Sequence, residues 1–404
     1  MKFLHVADAH LDSPFGGLSF LPQAAHQEIQ ESTKAAFTKM VDVAITRDVD
    51  FVLLVGDTFD SNNPVPATQL FLMREIERLT KARIHTFISF GNHDYMTPEN
   101  LLVQSGQFVH IFDENVATST ITAKDGTVVD VIGFSYVRNH ITEDVVQYFP
   151  AKVPGHYTIG MLHGSAAGDQ SGVDNYAPFS LTELNNKNYD YFALGHIHLR
   201  QVLSSNPLII YPGNLQGRHV NEPGTKGFYE LTVDENGHTT SKFVATSIFI
   251  WQTITLDLPN NLTKELLFAT IIAQVDDVLK DEPTRSLITL TIRNSEVLEK
   301  ELHDLLLDPA ILNYLSQKIS SASYLVRVHF AVKRHLQLNN LDQQYLEEAR
   351  QRTFTPEEVQ ELAKPLMKHG FIADFLADPT TIKRLVEQAE LLLQQEMGET
   401  WDAD

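Results

Sequence analysis

Short runs of β-branched and aromatic residues at 2–7, 51–56, 84–90, 128–134, 157–163, 189–195, 208–212 and 227–233, most of them bounded by turn-type residues, predict strands. Between the first three runs, apolar residues recur at spacings of three and four over 24–48 and 66–82, which predicts two amphipathic helices. Ala36, Met40, Val43 and Ala44 share one face of the first, and Leu70, Met73, Ile76 and Leu79 share one face of the second. Strand, helix, strand, helix, strand predicts a layered α/β domain over residues 1–250.

The pattern changes near residue 250. Residues 251–258, 286–293 and 323–332 read as strands separated by helical stretches at 262–280 and 297–319, so 251–335 forms a small α/β second domain. From 336 to 404 only helical patterns remain. Thr355-Pro356-Glu357-Glu358 is a capping box with proline at the first helical position, and Asp378-Pro379 opens a last helix. That helix carries Ile382, Leu385, Val386, Ala389, Leu392, Leu393 and Met397 on one face. Packing on its own protein is the ordinary use of such a stripe; docking to a partner is the sharper one.

Composition narrows the chemistry. The 404 residues are 43% hydrophobic and 21% charged, as in ordinary globular domains rather than disordered chains. With no cysteine, any metal must be held by nitrogen and oxygen ligands. The N-terminus has no signal-peptide apolar region, and no run is apolar enough to span a bilayer, which gives the expectation of a cytoplasmic protein without membrane contact. A formal net charge of −21 argues against a nucleic-acid binder that works by phosphate neutralisation alone. Bound metal ions would supply local positive charge that this tally omits.

Five segments put metal-type ligands at the ends of predicted strands: Asp8-Ala9-His10, Gly56-Asp57, Gly91-Asn92-His93-Asp94, His163-Gly164 and Gly195-His196-Ile197-His198. Taken singly, each is more often a turn or a surface pair than a ligand set. Strand ends along one edge of a sheet converge on one crevice, so five such segments in one chain predict a single site.

D-x-H, G-D, G-N-H-D, H and G-H-x-H in this order resemble the calcineurin-type metallophosphoesterases. Within that family, FLHVADAHL, GDTFDSNNP and GHIHLRQVL followed by YPGN are most similar to the SbcD-like DNA repair exonucleases, the nuclease partners of SMC-like ATPases. The match covers roughly residues 1–235. The resemblance implies a layered β-sandwich flanked by helices, with a small α/β cap domain and a helical C-terminal segment. It further implies two divalent metal ions, with Asp8, His10 and His198 on one, Asn92, His163 and His196 on the other, and Asp57 bridging them. His93 would contact the scissile phosphate and assist the leaving oxygen, and Asp94 is placed either to orient that imidazole or to cap the turn.

Mixed imidazole, carboxylate and amide ligands suit Mn²⁺, Fe²⁺ or Zn²⁺ better than Ca²⁺ or Mg²⁺. The resemblance favours manganese. It also implies DNA as substrate, an SMC-like ATPase as partner through residues 336–404, and a homodimer formed by the catalytic domains. One departure concerns the first motif, which continues Leu11-Asp12-Ser13-Pro14 where many relatives carry glycine. Asp12 would bind a sugar hydroxyl or cap a turn, and would repel a polyanion. Arg138, Arg200, Arg218 and His219 are the candidates for phosphate contact outside the metals. Two rival functions stand beside the nuclease: a phosphodiesterase for nucleotides or other small phosphoesters, favoured by the acidic charge and Asp12, and a non-catalytic scaffold, disfavoured by the complete ligand set.

Overall fold

The computed structural model describes residues 1–166, 176–320, 323–331, 361–364 and 385. In chain order the strands are β1 (Lys2–Ala7), β2 (Phe51–Val55), β3 (His85–Ser89), β4 (Val109–Ile111), β5 (Ala117–Thr122), β6 (Val128–Gly133), β7 (Tyr157–His163), β8 (Tyr191–Gly195), β9 (Gln201–Ser205), β10 (Leu208–Tyr211), β11 (Gly227–Val233), β12 (Thr239–Ala245), β13 (Phe249–Leu256), β14 (Arg285–Ile292) and β15 (Tyr324–Phe330). The helices are α1 (Gln23–Thr46), α2 (Pro66–Lys81), α3 (Leu181–Asn186), α4 (Lys264–Leu279), α5 (Lys300–Leu307) and α6 (Pro309–Ser316).

Two six-stranded sheets, ordered β12-β11-β1-β2-β3-β4 and β5-β6-β7-β8-β10-β9, carry the mixed α/β fold expected from the sequence. Strands β1, β2 and β3 run parallel, as do β7 and β8, so the loops that leave them emerge on one side of each sheet.

Period-two alternation assigns each side chain to a layer. Phe3, Phe51, Leu53, Val55 and Phe87 from the first sheet meet Val129, Val131, Ile159, Met161, Tyr191 and Ala193 from the second, all buried. Phe3 and Phe51 stack at 4.7 Å between ring centroids. On the opposite face, Leu4, Val6, Val52, Leu54 and Ile88 pack against Ala36, Phe37 and Met40 of α1 and Leu72 and Ile76 of α2. Burial on both faces is why these strands read as unbroken apolar runs rather than alternating ones.

The chain divides into two compact units. Met1–Ile254, Phe268–Leu290 and Asp304–Val328 form the first, which holds both six-stranded sheets; the second takes Thr255–Leu267, Thr291–His303 and the described residues from His329 on. Strands β13, β14 and β15 form a three-stranded sheet in that order. The single helix expected over 297–319 is two short ones. Pro309 lacks the amide hydrogen a helix interior needs and instead starts α6, with Asp308 as N-cap accepting from the Ala310 amide at 2.8 Å. The Thr355 capping box, the helix opened by Asp378-Pro379 and its apolar stripe lie outside the described residues, Leu385 apart.

Candidate metal centre

Beyond β1 the chain continues alongside the loop that follows β2: the amides of Asp8, His10 and Leu11 donate to the carbonyls of Gly56, Asp57 and Thr58 at 3.2, 3.0 and 3.0 Å. Asp8, His10, Asp57 and His196 all have left-handed backbone, with φ of 51°, 42°, 48° and 99°. That conformation is uncommon outside glycine, and here it turns side chains at the strand ends toward one point. Asp8, His10 and Asp57 are buried.

Asp8, His10, Asp57 and His198 each offer a ligand atom, and these four atoms lie within 4.8 Å of one another. Nε2 of His10 and Nε2 of His198 face each other at 3.2 Å. Beside them, Oδ1 of Asn92 lies 3.0 Å from Nε2 of His163 and 3.0 Å from Nδ1 of His196. Oδ2 of Asp57 is 3.4 Å from His163 Nε2 and 3.8 Å from His10 Nε2, between the two groups. All seven residues expected as ligands are thus brought together.

The donor set fits divalent cations. Burial pulls His10 down to about 3, against the opposing pull of Asp60, and pulls His196 down to about 3, so both rings present neutral lone pairs. Burial also favours a neutral His163, but the charges of Asp57 and Asp8 outweigh it and raise that ring to about 9.

Glycine is required where the ligands crowd. A Cβ on Gly91 would stand 2.2 Å from Asp57 Oδ1 and 2.7 Å from the His163 ring. At Gly56, whose φ of 71° also disfavours a side chain, it would stand 2.2 Å from His163 Nδ1.

Carboxylates behind two of the ligands were not anticipated from the sequence. Nδ1 of His10 lies 2.9 Å from Asp60 Oδ1, and Nδ1 of His198 lies 2.6 Å from Glu222 Oε1. His163 is backed instead by the carbonyl of Val55, at 3.2 Å from Nδ1. The hydrogen-bonded partners of His198 and His163 fix tautomer and ring orientation, whereas Asp60 is close to His10 Nδ1 without an aligned hydrogen bond. Asp60 follows the Gly-Asp element by three residues and resembles any turn aspartate, and Glu222 has no periodic relation to His198, so neither carried a signal.

His93 stands at the mouth, with its side chain 43% exposed. Its amide donates to Asp57 Oδ1 at 2.9 Å, its ring meets His10 edge-on at 5.1 Å, and its Nδ1 is 3.4 Å from the Asp60 carbonyl oxygen. A further grouping of donors, His10, Asp60 and His93, shares His10 with the main cluster, and its Asp60 is already paired with Arg218.

Asp94 does not face the His93 imidazole as the catalytic reading required. Its buried carboxylate accepts from the amides of Asp57 (3.1 Å), Thr58 (2.7 Å), Phe59 (3.2 Å) and Gly91 (2.6 Å), which is the turn-capping role. Burial and the charge of Asp57 push it up to about 7, against those amides. Asp12 likewise caps a turn, accepting from the Asp60 amide at 2.7 Å. Arg218 is not free for phosphate: its guanidinium pairs with Asp60, and its Nε lies 3.7 Å from Glu222. Arg200 lies over the Phe243 ring at 3.8 Å, and His219 Nε2 is 3.2 Å from Glu222. Arg138 is exposed.

The calcineurin-like phosphoesterase family model matches residues 1–200. The chain carries a calcineurin-like metallophosphoesterase domain. Members of this family use a dinuclear divalent metal site, and the cluster described above is the candidate for it here. The metallophosphoesterase YhaO of Bacillus subtilis, described as uncharacterized, is 39% identical over 273 residues, covering 67% of this chain and 66% of that protein. The DNA double-strand break repair protein Mre11 of Sulfolobus acidocaldarius is 26% identical over 216 residues, 50% of each chain. The SbcD component of the Escherichia coli nuclease SbcCD is 24% identical over 275 residues, 59% of this chain and 66% of that one. The matched metallophosphoesterase stretch therefore spans between half and about two thirds of these relatives. Among the described residues no helix is long and apolar enough to cross a membrane.

Proposed function

We propose that this metallophosphoesterase is a two-metal phosphodiesterase that cleaves DNA. The observation that carries the metal chemistry is the pair of ligand sets sharing Asp57. Asp8, His10 and His198 would hold one ion and Asn92, His163 and His196 the other, with manganese the favoured metal and Fe²⁺ or Zn²⁺ the alternatives. Two ions held there would neutralise the phosphoryl oxygens and activate the attacking water.

The chain's own groups do the rest. The amide of His93 is fastened to Asp57, so its ring is set beside the ligands without being one of them. In the imidazolium form, Nδ1–H faces the Asp60 carbonyl and Nε2–H is left to protonate the leaving oxygen as the P–O bond breaks. Asp94 holds the loops bearing Asp57 and His93 in register through their amides and transfers no proton.

DNA as substrate is supported by the similarity to Mre11 and to the SbcD component of SbcCD, whose names state a repair protein and a nuclease. An ATPase partner docked through residues 336–404 belongs to the same reading. Removing those residues abolishes partner binding and spares hydrolysis of a small diester if it holds. A second reading, a phosphodiesterase for small phosphoesters, is favoured by the engagement of Arg218 with Asp60 and of Arg200 with the Phe243 ring, which occupies two of the four candidate phosphate contacts.

Mn²⁺-dependent hydrolysis of labelled linear DNA, compared with bis-p-nitrophenyl phosphate, separates the two. Cleavage of both supports the nuclease; cleavage of only the small diester by the chain, alone and with its ATPase partner, supports the second reading.

A further inference from the structure

Glu222 lies in the loop between β10 and β11, 24 residues beyond His198, and is 4% exposed. Its two oxygens accept from four groups: His198 Nδ1 at 2.6 Å, Asn214 Nδ2 at 2.7 Å, the Arg218 amide at 2.7 Å and His219 Nε2 at 3.2 Å. Arg218 then joins this carboxylate to Asp60, the group behind His10. Nζ of Lys226, from the end of the same loop, donates to the His198 carbonyl at 3.2 Å. One loop thus grips a single imidazole by its ring and by its backbone.

A carboxylate can only accept, so at 2.6 Å from Glu222 the Nδ1 of His198 carries a proton rather than accepting from the Arg218 guanidinium 3.4 Å away, and in the neutral ring Nε2 is the lone pair. That Nε2 is the atom 3.2 Å from His10 Nε2. On the other side of the cluster, His163 is backed by a neutral carbonyl. The two metal positions therefore differ in what stands behind their imidazoles.

We infer that Glu222 is a positioning residue for His198, fixing its tautomer and ring direction so that the ion held by Asp8, His10 and His198 is bound tightly. Arg218 and Asn214 hold the carboxylate in place. The inference rests on the two-ion reading of the site.

The test is Mn²⁺ binding to the full chain after chelator treatment, by calorimetry and by the spin-coupled electron paramagnetic resonance signal of an ion pair. Wild type should bind two ions. In Glu222→Gln, which presents an amide in place of the carboxylate, one of the two affinities falls roughly 10- to 100-fold and the coupled signal fades, while the other affinity stays within threefold. In a His198→Ala background the same substitution adds less than a threefold loss, because its effect runs through that ring. Asn214→Ala removes one of the groups that hold the carboxylate but leaves the carboxylate itself beside His198, and lowers the same affinity by less than Glu222→Gln does.

Unchanged affinities in Glu222→Gln overturn the inference. So does an equal loss in the His198→Ala background, or a loss in Asn214→Ala that matches Glu222→Gln, because Glu222 would then act on the fold as a whole. A wild-type chain that binds fewer than two ions overturns the underlying site reading instead, so the two failures are distinguishable.

Discussion

Asp94 and Asp57 are joined through the main chain: Oδ1 of Asp94 accepts the Asp57 amide at 3.1 Å while its other oxygen takes the Thr58 amide at 2.7 Å. The loop after β3 is thereby fastened to the loop after β2. Asn at this position would turn a donor toward amides that need acceptors. Asp94→Asn is expected to lower stability by about 1–3 kcal/mol and to weaken metal binding. The shape of the activity–pH profile should not change, since Asp94 transfers no proton. Denaturant unfolding together with a pH–rate profile checks this; loss of one limb of the profile at full metal occupancy would contradict the purely structural role of Asp94.

Gly91→Ala asks for a methyl group where Asp57 Oδ1 already stands, 2.2 Å from the Cβ position. Relief requires the Asp57 carboxylate or the His163 ring to move. Overpacking of this kind costs about 1–3 kcal/mol. The variant should fold, with an unchanged far-ultraviolet dichroism spectrum, and bind fewer than two Mn²⁺ ions per chain by elemental analysis. Full occupancy by two ions would mean that the ligand geometry tolerates displacement.

His5 provides a pH test away from the metal ligands. Its Nε2 lies 3.0 Å from the Leu194 carbonyl oxygen and must carry the proton, while its Nδ1 accepts from the Tyr191 hydroxyl at 2.7 Å. Burial lowers its pKa to about 3, against the raising effect of Leu194. The folded value lies below the unfolded one, so the unfolded chain binds the extra proton, and stability falls as pH drops from about 6.5 toward 3, at roughly 1.4 kcal/mol per unit. In chelator, the stability gap between wild type and His5→Gln should shrink by roughly 1–2 kcal/mol from pH 7 to pH 5. A gap independent of pH would contradict the neutral, buried state of this ring.

Which parts of this structure were legible in advance follows from burial. The eight strands read from the sequence before residue 250, β1, β2, β3, β6, β7, β8, β10 and β11, are the interior strands of the two six-stranded sheets. The four strands that escaped, β4, β5, β9 and β12, are the edges. Thr118, Thr120 and Thr122 of β5 and Thr240, Ser241 and Lys242 of β12 face solvent wholly or in part, so no apolar run marks these segments. Edge strands are commonly kept polar and charged, which blunts pairing with other chains.

The same contrast holds at the metal centre. The residues expected as ligands sit at strand ends beside glycines and are visible as motifs. The groups behind them are distant in sequence and meet only through the fold. Glu222 reaches His198 from a loop, and Asp60 was hidden by being an unremarkable turn aspartate. Arg218, which follows the YPGN turn, is legible as a cation near the site; that Asp60 and Glu222 engage it is shown only by the fold.

The most direct test of the two-metal phosphodiesterase is His93→Ala, with ion content and turnover measured on the same preparation. Wild type, stripped with chelator and reloaded with Mn²⁺, should hold two ions per chain and hydrolyse bis-p-nitrophenyl phosphate. The variant should hold the same two ions while turnover falls between about 100-fold and 10,000-fold. Loss of ions along with activity would make His93 a ligand, and undiminished turnover with both ions bound would remove it from the chemistry altogether.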